Sequence, residues 1–146
     1  MEAGSWWIEA GLWGLFLATF LAATVVPFSS EAVLAAMALG PWPAATLWIV
    51  ASTGNTLGGL SSYGLGRLGD LARIARWVRT DPERAAYWKV RIARFGVWAA
   101  LLTWLPFVGD AIAIALGLAR APWWPVAVLM FAGKAARYAV VLALMR

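Results

Sequence analysis

Residues 10–30 contain no charged side chain, residues 32–66 contain none either, and Glu31 alone divides them. Crossing the hydrocarbon of a bilayer takes ~20 apolar residues, so successive charge-free stretches of this length constrain the chain more than any motif. Further uncharged runs cover 95–109, 111–119 and 121–133; the first two are too short to cross singly, and Pro and Gly break others. Composition agrees: 63% of the 146 residues are hydrophobic and 13% charged, against about half and a quarter in soluble domains. Disorder is excluded, because it needs low hydrophobicity and high net charge. Glu2, Glu9 and the lack of an early Lys or Arg make a secretory signal peptide a poor account of the N-terminus. The expectation is an all-α integral membrane protein forming one membrane unit over 1–146.

The chain has no Cys and no His. The common zinc, haem and iron–sulfur ligand sets and His-based triads are therefore absent. No metal and no cofactor are expected. No nucleophile–base pair stands out either, so the chain does not read as an enzyme.

The formal charge of +5 sits entirely in one segment. Residues 67–94 hold Arg67, Arg73, Arg76, Arg79, Arg84, Lys89, Arg91 and Arg94 against Asp70, Asp81 and Glu83, and the remainder is neutral. Lys- and Arg-rich connections beside apolar spans mark the cytoplasmic face. That placement makes nucleic acid a poor partner and puts 67–95 in the cytoplasm. Asp81-Pro82-Glu83 has the order of a helix start. Ala85, Trp88, Ile92 and Phe95 follow at helical spacing, and Leu71, Ile74, Ala75 and Val78 form an apolar stripe before it. Two short amphipathic helices lying in the membrane interface fit this pattern. Trp6, Trp7, Trp42, Trp77, Trp88, Trp123 and Trp124 lie near the expected boundaries, as interfacial anchors do.

The sequence also repeats itself. A shift of 79 positions aligns Thr24-Val25-Val26-Pro27-Phe28-Ser29-Ser30-Glu31 with Thr103-Trp104-Leu105-Pro106-Phe107-Val108-Gly109-Asp110, giving T-x-x-P-F-x-x-acid twice. Without gaps, Ala32, Ala36, Leu39, Pro43 and Gly54 meet Ala111, Ala115, Leu118, Pro122 and Gly133, for eight identities over 32 positions. The first repeat (about 10–66) runs into the basic segment, whereas the second (about 96–146) begins from it. The uncharged turn Gly40-Pro41-Trp42-Pro43 and its counterpart carrying Arg120 then face opposite sides. This is an inverted repeat, as in many secondary transporters. Terminal Arg146 would lie outside, against the charge rule. Each Pro-Phe pair most economically marks the tip of a re-entrant hairpin: Pro27 and Phe28 in one, Pro106, Phe107 and Gly109 in the other. Such tips must be buried in protein or face a watery cavity. The simpler alternative is four to six ordinary spanning helices with Pro kinks.

Four ionisable residues interrupt apolar sequence: Glu31, Asp110, Lys134 and Arg137. Each costs about 2.5–3.5 kcal/mol at the centre of an isolated spanning helix, so they must be paired, hydrated or facing a cavity. Glu31 and Asp110 can cap the returning helices and can also carry protons, since burial favours the neutral carboxyl and a nearby cation the ionised one. Lys134 and Arg137 can pair with these acids, or attract an anionic head group such as phosphate. Asn55 occupies the repeat position of Lys134, where its amide can bond across helices or line the cavity. Gly54-x-x-x-Gly58 reads as close helix packing. Gly64-x-Gly66-x-x-Gly69 matches a dinucleotide fingerprint only as a string, since it follows no strand.

Taken together, P-F-S-S-E at 27–31, G-N-T-L-G-G-L-S-S-Y-G-L-G-R at 54–67, L-P-F-V-G-D at 105–110, G-L-A-R-A-P at 117–122 and G-K-A-A-R-Y at 133–138 resemble the DedA/VTT (SNARE-associated) membrane-protein family, above all its short YqaA-type branch. The resemblance covers roughly residues 20–140. It implies a multi-pass bacterial inner-membrane protein with two facing re-entrant hairpins, in a family implicated in moving lipids between leaflets, sometimes with dependence on the proton gradient. Glu31 matches the family's acid after the first hairpin Pro. Many relatives carry an Arg three residues after the second Pro, where this chain has Gly109 followed by Asp110; the anion-binding role of that Arg cannot be carried over, and Lys134 or Arg137 can substitute.

Three functions compete. The first is translocation of a phospholipid or polyprenyl-phosphate head group, proton-coupled through Glu31 and Asp110. The second is a proton- or ion-coupled transporter of a small solute, and the third a non-transporting scaffold. A groove open to lipid favours the first, a closed aqueous cavity the second, and a middle with every charge in a salt bridge the third. Membrane lipids are the expected partners. One copy of 146 residues offers little protein to shield a polar path, which leaves a homo-oligomer open.

Overall fold

The computed structural model describes residues 5–24, 29–69, 83, 87, 90, 91, 94–105 and 108–145. Every regular element among them is helical. The chain runs from α1 (Ser5–Ala22) through α2 (Ser30–Ala38) and α3 (Ala44–Leu68) to a 3-10 helix (Gly96–Trp104), then α4 (Gly109–Leu118) and α5 (Trp123–Leu144). Prolines set the two long helices: Pro43 and Pro122 are their N-caps, with extended ψ of 141° and 131°, positions where the missing N–H costs nothing. Ser29 caps α2 by accepting a hydrogen bond from the Ala32 amide at 3.3 Å. Glu31 sits in the first turn rather than at the cap. α4 has Val108 at the equivalent place and no side-chain cap, because neither Val nor the following Gly109 supplies an acceptor.

The 79-residue offset reappears in the helix boundaries. α2 and α4 begin at Ser30 and Gly109, and α3 and α5 at Ala44 and Trp123. The first half's opening element is α-helical, whereas its counterpart before Pro106 is the 3-10 helix, tighter and longer than such helices usually run. Gly96 at φ 61° separates that helix from the residues before it, a backbone angle open to Gly at little cost.

The buried apolar side chains form two clusters. One joins Leu15, Leu34, Leu47, Ala51, Tyr138 and Leu142. The other joins Tyr63, Ala100, Ile112, Ala113, Leu116, Val126 and Met130, with Ala99 and Ala115. Leu34 and Ala113, Leu47 and Val126, Ala51 and Met130, and Tyr63 and Leu142 are repeat equivalents, so the clusters are built on one plan. Each long helix starts in its own half's cluster and ends in the other's. Small residues permit the close crossings: Gly54 faces the Phe16 carbonyl of α1, Gly133 faces the Leu101 carbonyl of the 3-10 helix, and Gly66 and Gly117 bring the backbones of α3 and α4 together. Gly54 and Gly58 thus serve packing, and Gly64 through Gly69 end a helix that follows no strand.

Large apolar side chains cover much of the helices' outside. Trp13, Leu17, Ile49, Val128 and Val140 are all more than half exposed, whereas Lys134 is 3% exposed. Of the helices, α5 is long and apolar enough to cross a bilayer by itself. Trp6, Trp123 and Trp124 stand out from the surface. Trp42 instead turns inward, donating its indole N–H to the Ile8 carbonyl at 2.9 Å. Of the basic segment, Glu83, Tyr87, Val90, Arg91, Arg94 and Phe95 are helical and exposed, with the Arg91 guanidinium 4.7 Å from the Tyr87 ring centre. The stripe 71–78, the Asp81-Pro82 start, and Trp77 and Trp88 lie outside the described residues.

Candidate functional site: a buried charge cluster between the two halves

The polar centre lies where the two apolar clusters meet. Lys134, on the buried side of α5, donates from Nζ to Asn55 Oδ1 of α3 at 2.5 Å. Asn55 in turn donates from Nδ2 to the Thr19 carbonyl of α1 at 2.9 Å. Lys134 and Asn55 are repeat equivalents, 79 residues apart, and they bond to each other. Gly59 leaves the space this needs: a Cβ there would come within 3.3 Å of Lys134 Cε and Nζ. Three helices are therefore linked through Lys134 and Asn55.

Arg137, almost a turn further along α5, forms a second set of contacts. Its Nε lies 3.2 Å from Glu31 Oε1, and its Nη1 donates to the Trp104 carbonyl at 2.7 Å. The guanidinium lies 4.8 Å from the Tyr138 ring centre, and the Tyr138 hydroxyl is hydrogen-bonded to Ser30 Oγ at 2.7 Å. Nε itself is buried and has no aligned hydrogen-bond acceptor, so its contact with Glu31 is an ion pair without a directed hydrogen bond. Glu31 Oε2 also accepts from Ser29 Oγ at 3.3 Å.

Asp110 stands in the first turn of α4. The charges acting on Lys134 are Arg137, Asp110 and Glu31, yet among the described residues neither acid closes on the ammonium as an ion pair. Glu31, Asn55, Asp110, Lys134 and Arg137, five residues scattered through the sequence, are thus gathered in one region. Gly109 is buried at the start of α4 against the Thr103 carbonyl. Pro27, Phe28, Pro106 and Phe107 lie outside the described residues.

Other polar groups join the cluster without a strong sequence signal. Thr19 supplies the carbonyl behind Asn55. Ser30 and Tyr138 tie α2 to α5, and the Trp104 main chain receives Arg137. Ser52 and Thr56 are buried on α3 with hydroxyls that meet no partner, although Ser and Thr in helices usually bond their own backbone. Both lie on the stripe continued by Gly59, Tyr63 and Gly66, the side α3 turns toward α4 and α5. Isolated hydroxyls in apolar sequence are too common to single out in advance. Farther along α3, Tyr63 donates to the Ala121 carbonyl and accepts from Arg67 Nη1 at 3.0 Å.

Two grooves lie outside the cluster. One, of about 450 Å³, is lined by Tyr87, Val90, Arg91, Arg94 and Phe95. The other, of about 330 Å³, runs between α3 and α5 and is lined by Ala44, Ala45, Trp48, Ala139, Leu142 and Ala143. Trp48 also donates its indole N–H to the Ala135 carbonyl at 2.8 Å, beside Lys134.

Residues 26–146 match the VTT domain. Inner membrane protein YqaA of Escherichia coli (strain K12) is 40% identical over 136 residues, covering 90% of this chain and 89% of that protein. The protein of the same name from Shigella flexneri gives the same figures. An uncharacterized protein of Haemophilus influenzae is 31% identical over 151 residues, covering 96% of this chain and 90% of that one. No solved structure matches the chain. A domain match over most of the length, with relatives this similar from end to end, makes the chain a member of the DedA/VTT family of membrane proteins.

Proposed function

We propose that the chain is a multi-pass transporter of a bacterial inner membrane that moves a phosphate-bearing lipid between leaflets, with Glu31 and Asp110 as proton-carrying carboxylates. The observation that carries this is the buried Lys134, held by its own repeat equivalent Asn55 at 2.5 Å inside an apolar exterior. Intramembrane ionisable groups are expensive and mark substrate or ion paths. An inner-membrane location also suits the relatives, two of which are named for it.

Helix lengths support re-entrant hairpins. At 1.5 Å per residue, α2 and α4 are roughly 14 and 15 Å long, about half the ~30 Å of hydrocarbon. α3 and α5 reach about 37 and 33 Å on the same rise. Two half-length helices returning from opposite faces, with residues 67–95 on the cytoplasmic side, complete the inverted repeat. The groove between α3 and α5 favours a lipid over a small solute. Its lining side chains are apolar, and its wall residues Trp48 and Ala139 border the Lys134 and Arg137 level of α5. A scaffold would have every charge neutralised by contact, whereas among the described residues Asp110 and Lys134 form no salt bridge.

The test uses purified protein in liposomes carrying a fluorescent lipid, with a quencher that reaches only the outer leaflet. The expected result is accelerated flipping that responds to a pH gradient and is lost in both Glu31→Gln and Asp110→Asn. Flipping equal to empty liposomes, with and without a gradient, removes the proposal.

A further inference from the structure

Arg137 touches the ends of both halves at once. Its Nε faces Glu31, at the start of α2, at 3.2 Å. Its Nη1 holds the carbonyl of Trp104, the last residue of the 3-10 helix, at 2.7 Å. The adjacent Tyr138 supports the guanidinium with its ring and holds Ser30 through its hydroxyl. One turn of α5 therefore fastens the segment that follows the first Pro-Phe pair to the segment that precedes the second. The repeat equivalents of Arg137 and Tyr138 are Gly58 and Gly59, so the fastening exists in one half only, and among the described residues Asp110 has no such partner.

The Glu31 contact is built to be exchanged. Arg137 Nε is buried and lacks an aligned acceptor, so a better-placed oxyanion has a donor waiting. The side chains remain 16% and 35% exposed for Arg137 and Glu31, which leaves the pair reachable without unfolding a helix. Glu31 keeps a second anchor when released, the Ser29 hydroxyl at 3.3 Å, and its place in the first turn of α2 suits its negative charge. A guanidinium offers five donors in a planar fork that phosphate oxygens match two at a time, more than the single ill-directed contact that Glu31 makes. The neighbouring Lys134 adds positive charge for the same ligand, and Asp110 opposes it.

We propose that Arg137 is a clasp between the two halves, and that a phosphate group opens it by displacing Glu31 from the guanidinium. This rests on the lipid-transport proposal for the identity of the natural ligand, but the exchange itself needs only phosphate chemistry. In the clasped state α2 and the 3-10 helix share one cation. In the open state the polar tie between α2 and α5 is the Ser30–Tyr138 hydrogen bond, beside the apolar cluster that holds Leu34 with Tyr138 and Leu142.

The chain contains no cysteine, so Ala36→Cys and Trp98→Cys, both at exposed positions, give a unique spin-label pair reporting on α2 and the 3-10 helix. Distances are measured by pulsed EPR in maltoside micelles, which carry no phosphate, with phosphatidic acid or inorganic phosphate added in separate arms. The expected result is a longer or broader distance distribution on adding phosphatidic acid, reproduced without ligand by Arg137→Gln and not increased further by ligand in that variant. A shift with inorganic phosphate as well assigns recognition to the phosphate alone; a shift with phosphatidic acid only assigns it to the lipid. Glu31→Gln opens the same contact from the other side and serves if Arg137→Gln does not fold. Unchanged distances in both variants overturn the clasp. A ligand-induced shift of equal size with and without Arg137 overturns the exchange. Failure of the flipping assay with an intact, Arg137-dependent shift would remove lipid transport and leave the clasp standing.

Discussion

Replacing Asn55 by Leu tests whether the centre of the molecule is held by one polar pair. The substitution removes the hydrogen-bond acceptor of an ammonium that is 3% exposed. Breaking a buried charge interaction from one side costs about 3–5 kcal/mol, and the lost bond to the Thr19 carbonyl about 1 kcal/mol of that scale. For a chain of this size 1 kcal/mol moves the melting midpoint by roughly 3 °C, so Asn55→Leu should lower it by roughly 10–15 °C on that conversion. Lys134→Met leaves a neutral amide oxygen without its partner, about 1–3 kcal/mol, and takes from Asp110 the positive charge acting on it. The double variant exchanges the pair for packed apolar groups, which is often neutral or better. It should therefore recover most of the Asn55→Leu loss, with a coupling energy of about 3 kcal/mol by double-mutant cycle. The shortfall that remains reflects Asp110, which loses the Lys134 charge acting on it, and adding Asp110→Asn should close it. The assay is thermal loss of helical circular dichroism in detergent. A double variant whose loss equals the sum of the two singles within about 0.5 kcal/mol would refute the pairing argument.

Four further outcomes follow from single positions. Ser29→Ala removes the only side-chain cap of α2 among the described residues and should cost about 1 kcal/mol, read as a lower melting midpoint. Tyr138→Phe strands the buried Ser30 hydroxyl, at about 1–3 kcal/mol, and Ser30→Ala in the same chain should return part of that loss. Gly117→Val drives a side chain into the Tyr63 carbonyl and the Arg67 amide and should abolish a stable fold, since even well-tolerated overpacking costs about 1–3 kcal/mol. Gly64→Ala, with nothing within 4 Å of the new methyl, should instead raise the midpoint by the about 0.5–1 kcal/mol that Gly loses in a helix.

Much of this was legible in the sequence, and the reason is chemical. Pro and Gly act on the backbone, so Pro43, Pro122, Gly54 and Gly133 keep their meaning wherever they sit, and the repeat they mark reappears in the helix starts. Charges in apolar sequence also announce themselves, because each must be answered by something nearby. What answers them was not legible. Lys134 reads as a partner for the acids, yet its closest ligand is an amide, and Arg137 spends one donor on a main-chain carbonyl that any residue at 104 would provide. Gly66 and Gly117 belong to a backbone crossing between α3 and α4 that no local pattern encodes. The 3-10 winding before Pro106 is likewise invisible, since Gly96–Trp104 has the composition of an ordinary apolar helix.

The same bond explains why the halves differ where they do. Asn55 and Lys134 stand at matching repeat positions and touch, so a residue at one meets its own counterpart at the other. Lys at both positions would place two ammoniums about 3 Å apart, a repulsion of roughly 5 kcal/mol at an effective dielectric constant near 20. A cation at this point can therefore be kept once only, with a neutral acceptor opposite. Glu31 and Asp110 stand in the first turns of different helices, α2 and α4, so an acid can persist in both halves. The positive charge of the centre is then necessarily lopsided: Lys134 and Arg137 both come from α5, while α3 contributes Asn55 and Gly58 at the matching places. That asymmetry gives Glu31 a cation in contact and leaves Asp110 with one only at a distance, which separates the two acids chemically despite their common place in the repeat.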